Sequence, residues 1–265
     1  MSQPLTIEQI RDYWSRQAIE HGTSPVASWS DQPVIDLEIR EIVKRLEDGD
    51  RILDVGCGNG YSTVQYAAQR RISIRGLDYI PEMIDQARAR LRSFPGKLSG
   101  TVDFAVGDIT GLEEPDESYE KVIVVRVIIN LGDPARQLRG VRECARVLKP
   151  GGTLLLSEAT LQGWRRMNHF RAEWGLPEIP MPSFNHYVDE EYLVEAVRSQ
   201  MRCVEIANFA STYFVGTRVL KPLLAQALGA EINVADPNMD WNRWFAQLPP
   251  WGDYGTQKLF VFRRI

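Results

Sequence analysis

The stretch Arg51-Ile-Leu-Asp-Val-Gly-Cys-Gly-Asn-Gly60 decides how this chain is read. Gly49-Asp50 breaks the pattern before it, and Arg51 to Val55 is then a short apolar run of the length of a buried strand. Glycines at 56, 58 and 60 carry the chain out of that strand, and Gly60 to Gln69 reads as a helix. A strand that turns through glycines into a helix brings bare backbone close to a ligand. The helix end adds free N–H groups and partial positive charge.

Outward from this turn, residues 33 to 160 repeat the same alternation. Asp36 to Leu46 places Leu37, Ile39, Ile42, Val43 and Leu46 at helical spacing. Ile72–Asp78, Val102–Asp108, Lys121–Val125 and Thr153–Glu158 read as strands. Between them, Pro81 opens a helix carrying Met83, Ile84, Ala87 and Leu91. Asp133-Pro134 opens another that stops at Lys149-Pro-Gly-Gly152. Strands alternating with helices predict βαβ units, a parallel sheet, and a ligand beyond the carboxyl ends of the strands. Asp54, Asp78, Asp108 and Glu158 end those strands, so they are expected to cluster at one edge.

Composition sets the surroundings. The chain has 265 residues, 44% hydrophobic and 25% charged, with a net charge of −4, which is an ordinary globular balance. The pI near 5.6 leaves no electrostatic footprint for nucleic acid or an anionic membrane. No apolar run is long enough for a bilayer, and Met1 to Gln9 is too polar for a secretory signal, so the expected location is the cytoplasm. Three scattered cysteines, Cys57, Cys144 and Cys203, predict neither disulfides nor a metal site. The class that remains is an enzyme working on a small molecule.

Asp78 stands where a carboxylate accepts both hydrogen bonds of a ribose diol, and Asp108 one strand further out suits an exocyclic amine with Ile109 packed on the ring. A dinucleotide enzyme would share the first turn and Asp78. Its G-x-G-x-x-G fingerprint would need a glycine at position 61, which is Tyr61.

Taken in order, Ile52-Leu53-Asp54 with Gly56-Cys57-Gly58-Asn59-Gly60, Gly76-Leu77-Asp78-Tyr79, Gly107-Asp108-Ile109, and Arg146-Val-Leu-Lys-Pro-Gly-Gly152 resemble the class I S-adenosylmethionine-dependent methyltransferases. The resemblance covers roughly residues 33 to 160. It implies a doubly wound α/β fold, a seven-stranded, mostly parallel, Rossmann-like sheet with a reversed last strand and substrate-cap insertions. It also implies S-adenosylmethionine across the strand ends: Asp54, Gly56, Cys57 and Gly58 at the methionine moiety, Asp78 at the ribose, Asp108 with Ile109 at the adenine, and Tyr79, beside Asp78, among the cofactor-binding residues. Tyr13, in an aromatic leader, is expected to fold over the cofactor. Arg126, directly after the fourth strand, borders the transfer centre and is expected to pair with Glu158, the cofactor or an acidic substrate.

The expected organisation is a leader and cap over residues 1–32, a cofactor-binding core over 33–160, and a remainder over 161–265. Insertions at about 161–190 and 216–255 interrupt that last part. Pro177, Pro180 and Pro182 force an irregular segment, Arg202 to Tyr213 reads as a sixth strand, and Leu259 to Phe262 reads as a seventh. His186, in the irregular segment, is the candidate general base, ahead of His169 and His21. The expected reaction is methyl transfer to a hydroxyl, or second an amine, of a sugar or secondary metabolite. An NAD(P)-dependent oxidoreductase and a non-catalytic cofactor-binding module are the rival readings. No basic stripe, and no Asn/Asp-Pro-Pro-Tyr/Phe motif after the fourth strand, points to a nucleic-acid substrate. Oligomeric state is open.

Overall fold

A computed structural model describes residues 5–229 and 233–265. Its strands are β1 (Arg51–Val55), β2 (Ser73–Asp78), β3 (Thr101–Val106), β4 (Tyr119–Val125), β5 (Leu148–Ala159), β6 (Met201–Ala207) and β7 (Gln257–Arg264). They form one seven-stranded sheet in the order β3-β2-β1-β4-β5-β7-β6. The first five strands pair in parallel, and β7 runs antiparallel to both β5 and β6. The chain direction in the order reverses at β1–β4, which opens the crevice where such sheets take ligands.

Both faces of the sheet are covered, and the strands show it residue by residue. In β4, Val122 and Val124 enter one apolar cluster while Ile123 enters the other; in β5, Leu154 and Leu156 oppose Leu155 in the same way. A strand with no wet face reads as unbroken Val, Ile and Leu. Burying each such side chain is worth about 1.5–3 kcal/mol relative to exposure. One layer includes α5 (Pro134–Val147), capped by the Asp133 carboxylate accepting from Arg136 N at 2.9 Å, and α7 (Glu190–Val197). The other includes α2 (Gln32–Val43), α3 (Tyr61–Gln69) and α6 (Leu161–Glu173); α4 (Pro81–Ser93) packs beside α3 through Ile84 and Ala87.

The leader is α1 (Ile7–His21), which begins with a reciprocal cap between Thr6 and Gln9. Its end is tied to the glycine turn by the buried Asn59, whose Nδ2 donates to Gly22 O at 2.9 Å and Ser24 O at 2.7 Å. Arg90 reinforces the tie with a hydrogen bond to Asn59 O (3.0 Å) and another to Thr23 O.

One expectation fails. The sixth strand stops at Ala207 instead of running to Tyr213, because Ser211–Val215 is helical (α8) and continues through a π-helical turn, Gly216–Leu220, into α9 (Lys221–Leu228). Phe209, Ala210, Tyr213 and Phe214 are all buried, and their spacing of one and four is helical. Pro222 lacks the N–H that an α-helix would offer to Arg218 O, and the Arg171 guanidinium takes that carbonyl instead. A short α10 (Asp240–Phe245) completes the insertion.

The turn after β1 constrains Gly56 most. Its φ is +74°, and a Cβ there would sit 2.1 Å from Val127 Cγ2. Gly56→Ala is therefore expected to destabilise the protein by about 1–3 kcal/mol. Urea denaturation of the variant beside the wild type measures this, and an unchanged midpoint would show that the turn can relax.

Candidate active site

A cavity of about 600 Å³ opens at the carboxyl ends of β1, β2 and β4. Three carboxylates line it, one from the end of each of β1 and β2 and one from just past β3. Asp54 is buried and accepts from Thr63 Oγ1 at 2.6 Å. Burial pushes its carboxyl up to about 7, against that hydrogen bond, with the Asp78 and Glu38 charges adding to the rise. Asp78 accepts from Gly58 N and from Ile80 N, each at 2.9 Å, so the end of β2 is bonded across to the glycine turn of β1. Burial raises it to about 6, and the two N–H groups oppose the rise. Asp108 is exposed to the cavity and takes Thr110 N (2.7 Å) and Thr110 Oγ1 (2.8 Å) on one oxygen, with Ile109 buried beneath. At Gly58 a Cβ would meet nothing within 4 Å, so the turn faces open space there.

The opposite wall is the turn after β4. Arg126 has φ of +56°, a left-handed conformation that an arginine holds only when its surroundings impose it. Six contacts do so. Arg126 N donates to Ser157 O (2.9 Å), and Asn130 Nδ2 donates to Arg126 O (2.9 Å). The next two amides, Val127 N and Ile128 N, both donate to Glu158 Oε1 at 2.8 Å. Finally the guanidinium pairs with the buried Glu38 of α2 and lies 5.2 Å over the Trp29 ring. Glu38 also accepts from Ser157 Oγ and from Gln257 Nε2 (3.2 Å).

The roof joins segments far apart in sequence. Tyr13 of α1 stacks on Phe184 of the Pro-rich segment, ring centroids 4.9 Å apart, with Trp14 edge-on to both. Side chains of α6 hold that segment: Trp164 Nε1 and Asn168 Nδ2 donate to Ile179 O (2.8 and 3.1 Å). Its far end docks on the turn after β4 through His186 N to Ile129 O, 2.6 Å.

Residues 52–152 match the family model described as methyltransferase domain. A SAM-dependent methyltransferase from Methanosarcina mazei superposes with a TM-score of 0.52 at 26% identity, over 63% of this chain and 86% of that one. Residues 52–152 are thus a methyltransferase domain, as the resemblance to the class I S-adenosylmethionine-dependent enzymes implies. Magnesium protoporphyrin IX methyltransferase from Synechocystis, solved with SAH, shares the methyltransferase fold over 97% of this chain and 99% of its own (TM-score 0.63, 13% identity). Among curated relatives, the 27-O-demethylrifamycin SV methyltransferase of Amycolatopsis mediterranei is 31% identical over 116 residues, 44% of this chain and 41% of that protein. The chain thus spans less than half the length of that relative.

The cavity brings together Tyr13, Asp54, Gly56, Cys57, Gly58, Asp78, Tyr79, Asp108, Ile109 and Arg126. Burial, with the Asp78 and Asp54 charges adding to it, pushes the Cys57 thiol well up and disfavours the thiolate, and burial raises Tyr79 to about 12. Two expectations need correction. His186 has an exposed side chain that does not line the cavity; only its main chain is engaged, its carbonyl accepting from Gln137 Nε2 at 2.6 Å. Three prolines leave the segment's path to tertiary contacts, and those contacts direct the imidazole outward. Arg126 meets Glu38, and Glu158 is wholly buried behind the cavity wall on backbone amides.

Glu38 went unread, although a signal exists: it interrupts the stripe Val34, Ile35, Ile39, Ile42 on the buried face of α2. His169 is exposed and pairs with Glu173 on α6, while His21 lines the cavity at the end of α1. Among the described residues no group of three or more His, Cys, Asp or Glu is arranged to hold a metal, and no helix is long and apolar enough to cross a membrane.

Burial raises Glu158 to about 8 from an ordinary 4.5. Between those values the folded state holds a proton that the unfolded chain has released, so the group's contribution to stability falls as pH rises through the window and levels off above about 8. Glu158→Gln removes that slope. The wild type should lose stability relative to Glu158→Gln between pH 5 and 8 in paired denaturant titrations; parallel curves would contradict the raised value.

Proposed function

We propose that this protein binds S-adenosylmethionine in the cavity and transfers its methyl group to a hydroxyl of a small-molecule secondary metabolite. The observation that carries the reading is the grip of Asp54, Asp78 and Asp108 around an open glycine turn in one cavity. Its volume of about 600 Å³ lies within the usual range for small-molecule sites. The donor set suits this cofactor: acidic groups favour a cationic ligand, whereas a dinucleotide's pyrophosphate would be repelled by the same carboxylates.

In this reading Asp54, Gly56, Cys57 and Gly58 face the methionine part. Asp78 accepts from the ribose diol, since each carboxylate oxygen keeps a lone pair beyond its backbone bond. Tyr79, Asp108 and Ile109 hold the base, and Tyr13 with Phe184 excludes water from above. Arg126, already neutralised by Glu38, shapes the wall rather than attracting an anion. The bound cofactor supplies an electrophilic methyl group on a sulfonium, so the chain's contribution is positioning and desolvation. The hydroxyl acceptor is supported by the relative that methylates the 27-oxygen its name specifies; an amine or a sugar would use the same positioning.

Asp78→Ala is expected to weaken S-adenosylmethionine binding by about 1–3 kcal/mol, five- to 150-fold, through lost charge-assisted hydrogen bonds. Isothermal titration calorimetry reads this directly. Equal affinity of variant and wild type, or tight binding of NADH in the same cell, would refute the assignment.

A further inference from the structure

Beyond the carboxylate grip, the cavity is walled by Val125 to Asn130, Ala159, the segment from Pro182 to Tyr187, and Thr256 with Gln257. The polar groups of this half share one chemical limitation. Arg126 has no lone pair to offer and is committed to Glu38. Gln257 spends its amide N–H on Glu38 and on Ser157 Oγ, both at 3.2 Å. Tyr187 is a phenol whose burial holds its proton more tightly than usual. Among the described residues no histidine or carboxylate lines this half, because Glu38 and Glu158 lie behind its wall. The one histidine lining the cavity, His21, belongs to the leader end that Asn59 holds against the glycine turn. No side chain here can take a proton from a hydroxyl.

What this half does present is unpaired acceptors. Asn130 donates its Nδ2 to Arg126 O at 2.9 Å, which sets the amide's orientation and leaves Oδ1 buried with no partner. Asn185 Oδ1 is likewise buried and unpartnered. The bond from His186 N to Ile129 O joins the two segments that carry these asparagines, and both residues line the cavity. Buried carbonyl oxygens are normally satisfied, so two on one wall call for donors from outside the chain. The rings around them, Phe184, Tyr187, Trp29 and Tyr13, suit a flat apolar partner.

We propose that Asn130 and Asn185 accept hydrogen bonds from an aromatic acceptor, and that the group methylated is its phenolic or enolic hydroxyl. The inference rests on the reading of the cavity as a methyl-transfer site. A hydroxyl on an sp² carbon ionises near pH 10, as tyrosine does, whereas water needs about 15.7; the asparagine oxygens favour its neutral form, yet it still starts several pH units closer to the reactive anion and so depends least on a side-chain base. The phenolate oxygen forms the new O–C bond as the cofactor's C–S bond breaks. Sulfur keeps that electron pair, and the phenolic proton leaves to water.

Calorimetry on the full chain loaded with S-adenosylhomocysteine tests this with 1-naphthol, naphthalene and 2-decalol as probes. Naphthol should bind at least tenfold more tightly than either of the others. Naphthol's single O–H reaches one acceptor at a time, so at least one of Asn130→Ala and Asn185→Ala should weaken naphthol at least fivefold, and at least threefold more than it weakens naphthalene. The proposal is overturned if naphthol fails to bind, if it binds no better than naphthalene or 2-decalol, or if neither variant changes its affinity. Failure of S-adenosylhomocysteine itself to bind the wild type overturns the methyl-transfer reading, and this proposal with it.

Discussion

Buried carboxylates at strand ends must find N–H groups, and that requirement organises the ligand-binding edge of this molecule. Asp78 takes amides from the turn after β1 and from its own strand's exit. Glu158 takes two from the turn after β4. A carboxyl group left without partners in such positions would cost free energy, most of all when ionised. The backbone therefore bends to meet it: the glycine turn is drawn to β2, and the 126–128 turn is drawn to β5. Both pull main chain toward the crevice, and the cavity between them is the result.

The second of these clamps also explains the one arginine in a left-handed conformation at the site. Arg126 tolerates the strain because β5 holds its amide through Ser157 and the two following amides through Glu158, Asn130 holds its carbonyl, and Glu38 of α2 holds its guanidinium. Over-determination of this kind fixes a wall in one position, which matters where the chemistry asks chiefly for alignment. The same logic governs the roof, where stacked aromatics and a single main-chain bond at His186 join α1, the Pro-rich segment and the 3₁₀ turn Ile128–Asn130.

How far the sequence could be read depends on the range of the interaction involved. The turn at Gly56, Gly58 and Gly60, the strands ending in Asp54 and Asp78, and Asp108 just past the third were legible because local rules set them: alternation of elements, glycine where φ is positive, apolar runs where both faces are covered. The run from Phe209 to Phe214 was misread as strand because a short apolar stretch carries little periodicity, and only packing under β7 and α6 selects the helix. His186 looked like a base because its segment follows the fifth strand. Where its imidazole points was set by bonds from Ile129 and Gln137 to its backbone, which no local pattern encodes.

The amino-acid sequence alone determined a doubly wound sheet with acids at the carboxyl edge and bare backbone between them, since those follow from period, turn chemistry and chain direction. Tertiary structure decided which carboxylate meets Arg126, which aromatic closes over the crevice and which polar atoms stay unpaired. Glu38 and Arg126 are 88 residues apart, and Tyr13 and Phe184 meet only once the sheet has brought the leader and the insertion to the same rim. Pairings of that kind are chosen by the packed interior as a whole, where desolvation makes each partner's identity matter, and neighbouring residues in the chain carry no record of them.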